Sequence, residues 1–314
     1  MATPTQATLP PTFPAVATAT RGTVPLATAV ALLATLVGSA LPLIAWREAT
    51  GTATPPWLLA GQAGAVLALW AVAARVPALA PARPLLPWVL GMTVGWHAVI
   101  HTVVGGDAWQ AWKAEAPFAA YRLAYQALIA VPTALLLLLV ARQRLGPRAL
   151  RLAGGQPAAP APRDPLLLNP VATRWSVLAP LLGLAISGGT LIAMYAATRP
   201  DAAGLARLLP ALPAVLLAAA LNTLQEEFQF RNLPLALGVP ALGAGTALAL
   251  TSLYFGLAHF YGNPPAYAGV AMASWLGYVL GRSILATGDS RWAWAIHFAQ
   301  DVIIFSFLAM AWHA

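Results

Sequence analysis

Long apolar runs separated by short polar stretches dominate this chain. A transmembrane helix takes about 20 consecutive apolar residues. Runs of that kind occur at 24–46, 56–74, 85–106, 118–141, 175–197, 208–235, 243–262, 265–286 and 292–312. The pattern predicts an all-α polytopic transmembrane helix bundle of about eight or nine spans. The stretch 230–245 is interrupted by Pro234, Gly238, Pro240, Gly243 and Gly245. Such breaks survive at membrane depth only inside protein or beside a wet cavity, so a helical hairpin with its tip there is expected. Residues 1–21 are rich in Pro, Thr and Ala and read as a disordered tail. They lack the charged n-region of a signal peptide, so the first apolar run reads as a retained span. Residues 22–141 then form an N-terminal group of spans, 142–174 the one long connection, and 175–314 a C-terminal group.

Composition fixes the solvent. Of 314 residues, 60% are hydrophobic and 8% charged, whereas a soluble domain carries about 25% charged residues. The bilayer must therefore be the main solvent, and membrane lipid a partner. The absence of cysteine excludes disulfides and thiolate metal sites. The basic excess is almost all arginine, and Lys113 is the only lysine. Arg142, Arg144, Arg148, Arg151, Arg163 and Arg174 fall in the long connection, which the positive-inside rule makes cytoplasmic. Summing Lys and Arg over alternate connections gives 12 on that side and 5 on the other, so the N-terminus is expected there too. The excess reports topology rather than a nucleic-acid partner. Trp46, Trp57, Trp88, Trp175, Trp292 and Trp312 fall near span ends, as an aromatic belt would place them.

Ionisable residues inside spans are costly and mark function by default. Here they cluster in three groups: Gln225-Glu226-Glu227-Phe228-Gln229-Phe230-Arg231, then Phe255-Gly256-Leu257-Ala258-His259, then His297-Phe298-Ala299-Gln300-Asp301. Glu227 and Arg231 are four apart and share a helix face, so they can pair. Glu226 lies about 100° round the helix and is left without a local cation, which suits a general base. The midpoint of positions 226 and 259 falls between 242 and 243, inside the Gly238–Gly245 break. In an antiparallel hairpin with its tip there, Glu226 and His259 lie at one level. His297 is near the start of its span, so all three groups are expected to converge near the cytoplasmic leaflet. His297 and Asp301 are spaced i, i+4 and face one way.

In order and spacing, Glu226-Glu227-x3-Arg231, Phe255-x3-His259 and His297-x3-Asp301 resemble the motifs of the CPBP family of intramembrane endopeptidases. That family takes in CAAX prenyl endopeptidases and bacteriocin-processing or immunity proteins. The resemblance covers about residues 205–312 and puts the catalytic core in the last four spans. It implies hydrolysis of a peptide bond in a membrane-associated protein or peptide. Glu226, helped by His259, would activate water. His297 and Asp301 would orient the carbonyl and stabilise its oxyanion, and Glu227, Arg231 and Phe255 would support them. Two departures stand out: Asn232 occupies a position where members usually have glycine, and Asp301 one where many have asparagine. No cofactor is the favoured expectation, since the HExxH spacing of many zinc proteases is absent. The alternative is zinc on Glu226, His259 and His297, a metalloprotease-like site.

Other features have plainer readings. His97 and His101 form an HxxxH pair that can bind metal or, as favoured here, make interhelical hydrogen bonds. Arg122 and Arg282 lie near span ends and are expected to snorkel. Gly183, Gly188, Gly189, Gly277 and Gly281 are expected at close helix contacts. The alanine- and arginine-rich composition points to a bacterial inner membrane. Two other functions stay open: a non-catalytic membrane immunity or binding protein, and a proton-coupled transporter. The absence of a two-fold repeat argues against the latter. The substrate (a prenylated CAAX protein, a leader peptide or a protein with a C-terminal sorting tail) and the oligomeric state stay open as well.

Overall fold

The computed structural model describes residues 23–313; the tail expected at 1–21 lies outside them. The described chain is a helical bundle: α1 (Thr23–Gly38), α2 (Leu41–Thr50), α3 (Pro56–Arg75), α4 (Leu86–Gly105), α5 (Asp107–Glu115), α6 (Phe118–Gln143), α7 (Trp175–Thr198), α8 (Ala202–Leu242), α9 (Ala244–Leu257), α10 (Ala266–Thr287) and α11 (Arg291–Met310). Two-residue strands, β1 (Pro160–Ala161) and β2 (Thr173–Arg174), pair antiparallel in the long connection. Among the described residues seven helices are long and apolar enough to cross a bilayer, and α1 with α2, bent by 48°, would make an eighth. The protein is thus an all-α integral membrane protein.

The seventh of the expected spans, 243–262, is too short to cross. Its helix, α9, has 14 residues, about 21 Å, against a hydrocarbon layer of about 30 Å. The second correction concerns the break at 230–245. The chain stays helical through Pro234 and Pro240, and turns only at Gly243, whose φ of +86° suits a residue without a side chain. That single turn folds α9 antiparallel to the end of α8, with its tip at the midpoint of 226 and 259.

Passage through Pro234 has a local cause. Residues Phe228–Asn232 form a π-helical turn, and the Leu233 N–H reaches back to the Phe228 carbonyl. In that register the next donor, at 234, would serve the Gln229 carbonyl, but proline has no N–H. The Trp88 indole supplies the missing bond, donating to Gln229 O at 2.7 Å. Trp88 is therefore buried, as is Trp175, and neither belongs to the aromatic belt expected of them. Trp57, by contrast, is 61% exposed.

The core helices pack closely at small residues. A side chain at Gly256 would collide with Ser274 and the Val270 carbonyl, and one at Gly277 would come within 3.2 Å of Ser252 Cα. Gly281 faces Leu248 and Gly183 faces Ile296 in the same way. Gly188 and Gly189 depart from expectation: a Cβ there would meet no described atom within 4 Å, so they mark no contact.

The connection 142–174 is folded rather than loose. Gln156 N–H donates to Thr287 O, the Trp292 indole to Pro157 O, and Ser290 Oγ to Arg151 O. These bonds fix it as a cap over the end of α10 and the start of α11.

The Trp88–Gln229 bond gives a test of this account. Trp88→Phe leaves a buried carbonyl unpaired and should cost about 1–3 kcal/mol, read as a lower thermal midpoint in detergent. Adding Pro234→Ala restores a backbone donor and should recover part of the loss. A double variant no more stable than Trp88→Phe would contradict the assignment.

Candidate active site

The end of α8, the π-turn after it, the end of α9 and the first half of α11 bring the three polar groups together. Glu227 is fully buried, and its Oε1 accepts from Arg231 Nη1 at 3.0 Å. The same oxygen lies 2.7 Å from His297 Nδ1. A carboxylate accepts, so Nδ1 carries the proton and Nε2 faces the other way. There it meets Glu226 Oε2 at 3.6 Å and Asp301 Oδ2 at 3.7 Å. The two adjacent glutamates thus have different surroundings. Glu227 holds a guanidinium and an imidazole, while Glu226 has no arginine within 4 Å among the described residues and keeps its side chain 12% exposed.

Phe255 forms the wall of the site. The Arg231 guanidinium lies 3.8 Å over its ring, the His259 ring is 4.3 Å away and the His297 ring 6.2 Å. His259 Nδ1 lies 2.7 Å from the Phe255 carbonyl, which can only accept. Nδ1 therefore carries a proton, and Nε2, the acceptor when the ring is neutral, is turned away from that carbonyl, with Glu226 and Arg231 within electrostatic reach of the ring.

Asp301 is held from α8. Its Oδ2 accepts from Asn222 Nδ2 at 3.0 Å and Thr223 Oγ1 at 3.3 Å. Asn222 Oδ1 in turn accepts from Gln126 Nε2 of α6 at 3.1 Å. Thr133 of α6 accepts from Gln229 at 2.7 Å. The polar side of α6 is thus the outer support of the site.

Sequence reasoning missed that support. Arg122, expected to snorkel, is turned inward instead, with its guanidinium 3.5 Å over the Phe305 ring and in the electrostatic field of Asp301 and Glu226. Phe305 offers the cation a π-face one turn beyond Asp301. The signal was present: Arg122, Gln126 and Thr133 recur at helical spacing on an otherwise apolar span. Arg282 is also paired, with Asp164 of the cap at 3.3 Å. His101 receives a hydrogen bond from Arg47 of α2 at 2.8 Å, an interhelical bond. Asn232 donates to Leu150 O and Ser290 Oγ, so it ties the cap and the start of α11 to α8 beside Arg231.

Among the described residues no group of three or more His, Asp or Glu has the placement of a metal-ion site. His297 and His259 commit Nδ1 to Glu227 and to the Phe255 carbonyl, which leaves Nε2 of each ring as the nitrogen free to act.

Residues 208–303 match the family model described as type II CAAX prenyl endopeptidase Rce1-like. All seven residues of the three motifs fall inside that match; Arg122 and Gln126 fall outside it. No curated protein and no solved structure matched the chain.

The unequal glutamates predict unequal variants. Glu227→Gln strands the buried Arg231 charge and should destabilise the protein by about 3–5 kcal/mol. Glu226→Gln should cost much less. Thermal midpoints of both variants in one detergent decide it, and equal losses would refute the distinction.

Proposed function

Residues 208–303 place the chain in the CAAX-type (CPBP) protease family, and from that premise we propose an intramembrane endopeptidase that hydrolyses a peptide bond of a membrane-associated protein or peptide. The observation that carries the reading is the separation of roles between Glu226 and Glu227. One acid is used to hold the site, and the other is left beside the His297 imidazole at 3.6 Å and within electrostatic reach of His259.

In the proposed reaction Glu226 takes a proton from water, and the water oxygen bonds to the scissile carbonyl carbon. His259 Nε2 accepts a hydrogen bond from that water and orients it. The carbonyl oxygen gains negative charge and is met by His297 Nε2–H, which can donate when Nδ1–H is already committed to Glu227 and the ring is the imidazolium. A donor fixed before the reaction starts stabilises developing charge without reorganisation. Asp301, as a carboxylate, cannot donate to the oxyanion. It holds the imidazolium in place and balances its charge. When the C–N bond breaks, the proton on Glu226 passes to the leaving nitrogen.

The reading needs no metal. The arginine-rich 142–174 side is taken as cytoplasmic, from the distribution of positive charge, which puts the site toward that leaflet of a bacterial inner membrane.

Purified Glu226→Ala and His259→Ala should lose cleavage by at least about a hundredfold, the usual scale for a general acid–base group. Wild-type rates in either would remove these residues from the reaction. Activity should survive exhaustive chelation, and zinc-dependent rescue would overturn the metal-free reading. Comparative membrane proteomics of wild-type and Glu226→Ala cells should show a protein or peptide accumulating uncut.

A further inference from the structure

Residues 160–174 leave the cap as a tongue lying along α10. The Trp275 indole donates to Leu166 O at 2.7 Å, and the Tyr278 hydroxyl to Asp164 Oδ2 at 2.7 Å. Arg282 Nε lies 3.3 Å from the same carboxylate oxygen. Trp275 is seven residues from Arg282, so the tip hangs about 10 Å beyond the level of that cation.

The tongue hides its own backbone. Asp164 and Asn169 exchange backbone bonds at 3.2 Å, and Leu167 and Leu168 donate to Asp164 O and Pro165 O at 3.1 Å. Asp164 Oδ1 accepts from Leu166 N–H, and Asn169 Nδ2 donates to Pro162 O. Pro160, Pro162, Pro165 and Pro170 bring no N–H at all. This pairing lowers the cost of an apolar surrounding for the part of the segment it covers.

Its side chains match. Leu166, Leu168 and Val171 are 55%, 73% and 58% exposed, and only Leu167 turns inward. Between the exposed Arg163 and Arg174 the single charge is Asp164, already bound to Arg282. Apolar tip and basic base are the two parts of an interfacial anchor, whose apolar side chains enter the headgroup–acyl boundary by about 5–10 Å. The depth below Arg282 agrees with that figure.

We propose that residues 160–174 dip into the bilayer, with Leu166, Leu168 and Val171 among the acyl chains and Arg163 and Arg174 on the headgroups of anionic phospholipid. The partner is the lipid surface, drawn to the cationic base of the tongue. The tongue anchors the cap beside the end of α10 and the start of α11, the helix that carries His297 and Asp301.

The cysteine-free chain makes the test direct. Leu168→Cys and, as a reference on the cap, Ala153→Cys are labelled with bimane and reconstituted in vesicles of phosphatidylcholine and phosphatidylglycerol. Brominated phosphatidylcholine should quench the label at 168 at least threefold more than at 153, and iodide the reverse. Arg163→Gln with Arg174→Gln should lower lipid quenching at 168 in vesicles containing phosphatidylglycerol. Iodide quenching at 168 equal to that at 153 would overturn the proposal, as would shielding from both quenchers, which would mean a protein partner or a second copy. None of these readouts depends on catalysis, so they stand or fall apart from the proposed reaction.

Discussion

The buried Glu227 carboxylate is the interaction on which the site depends. One oxygen accepts from Arg231 at 3.0 Å and lies 2.7 Å from His297 Nδ1, so a single acid holds both a residue on its own helix and one 70 positions away. Removing two charges and an imidazole from water is costly unless each finds a partner. That cost works as a constraint here. Any shift of α11 against α8 would separate Glu227 from His297 and leave charge uncompensated. The position of His297 Nε2, the atom facing Glu226 and Asp301, follows from this bond.

The charges around it come close to balance. Glu226, Glu227 and Asp301 are the acids. Arg231 and Arg122 are the cations, and His297 becomes a third on protonation. The two arginines are both stacked on phenylalanine, at 3.8 Å on Phe255 and 3.5 Å on Phe305; Arg231 also pairs with Glu227, and Arg122 lies in the electrostatic field of Asp301 and Glu226. A site with too many acids would hold a proton somewhere and blunt Glu226 as a base. Arg122 comes from the N-terminal group of spans, which makes those spans part of the site rather than scaffolding around it.

Much of this was legible in the sequence. Glu227 and Arg231 at i, i+4 pair as helix geometry requires, and the midpoint of 226 and 259 does fall at the turn, because an antiparallel hairpin has only one symmetry to read. What could not be read depends on distant partners. The π-turn at 228–232 needs Trp88, 141 residues away, to replace the donor Pro234 lacks. Without that partner, prolines and glycines looked like a break. The length of α9 was overread for a related reason: apolar residues continue to about 262, but the backbone leaves the helix at Ala258. Apolarity measures the environment of a segment, not whether it crosses. The inward turn of Arg122 was signalled by the polar stripe on α6, which a reading focused on charged groups passed over.

Asn232 shows how site and surroundings are joined. It stands where glycine is usual in the family it resembles, and a side chain at this position needs space and partners. It has both: its amide donates to Leu150 of the cap and to Ser290 at the start of α11, and Ser290 passes the bond on to Arg151 O. One residue after Arg231, three separate segments are therefore pinned at one point. His297 follows seven residues later on α11, so its height over Glu227 is set from this end as well as by the ion pair. The cap supplies one carbonyl to the amide and another to Ser290, and the amide holds the cap against α8 and the start of α11.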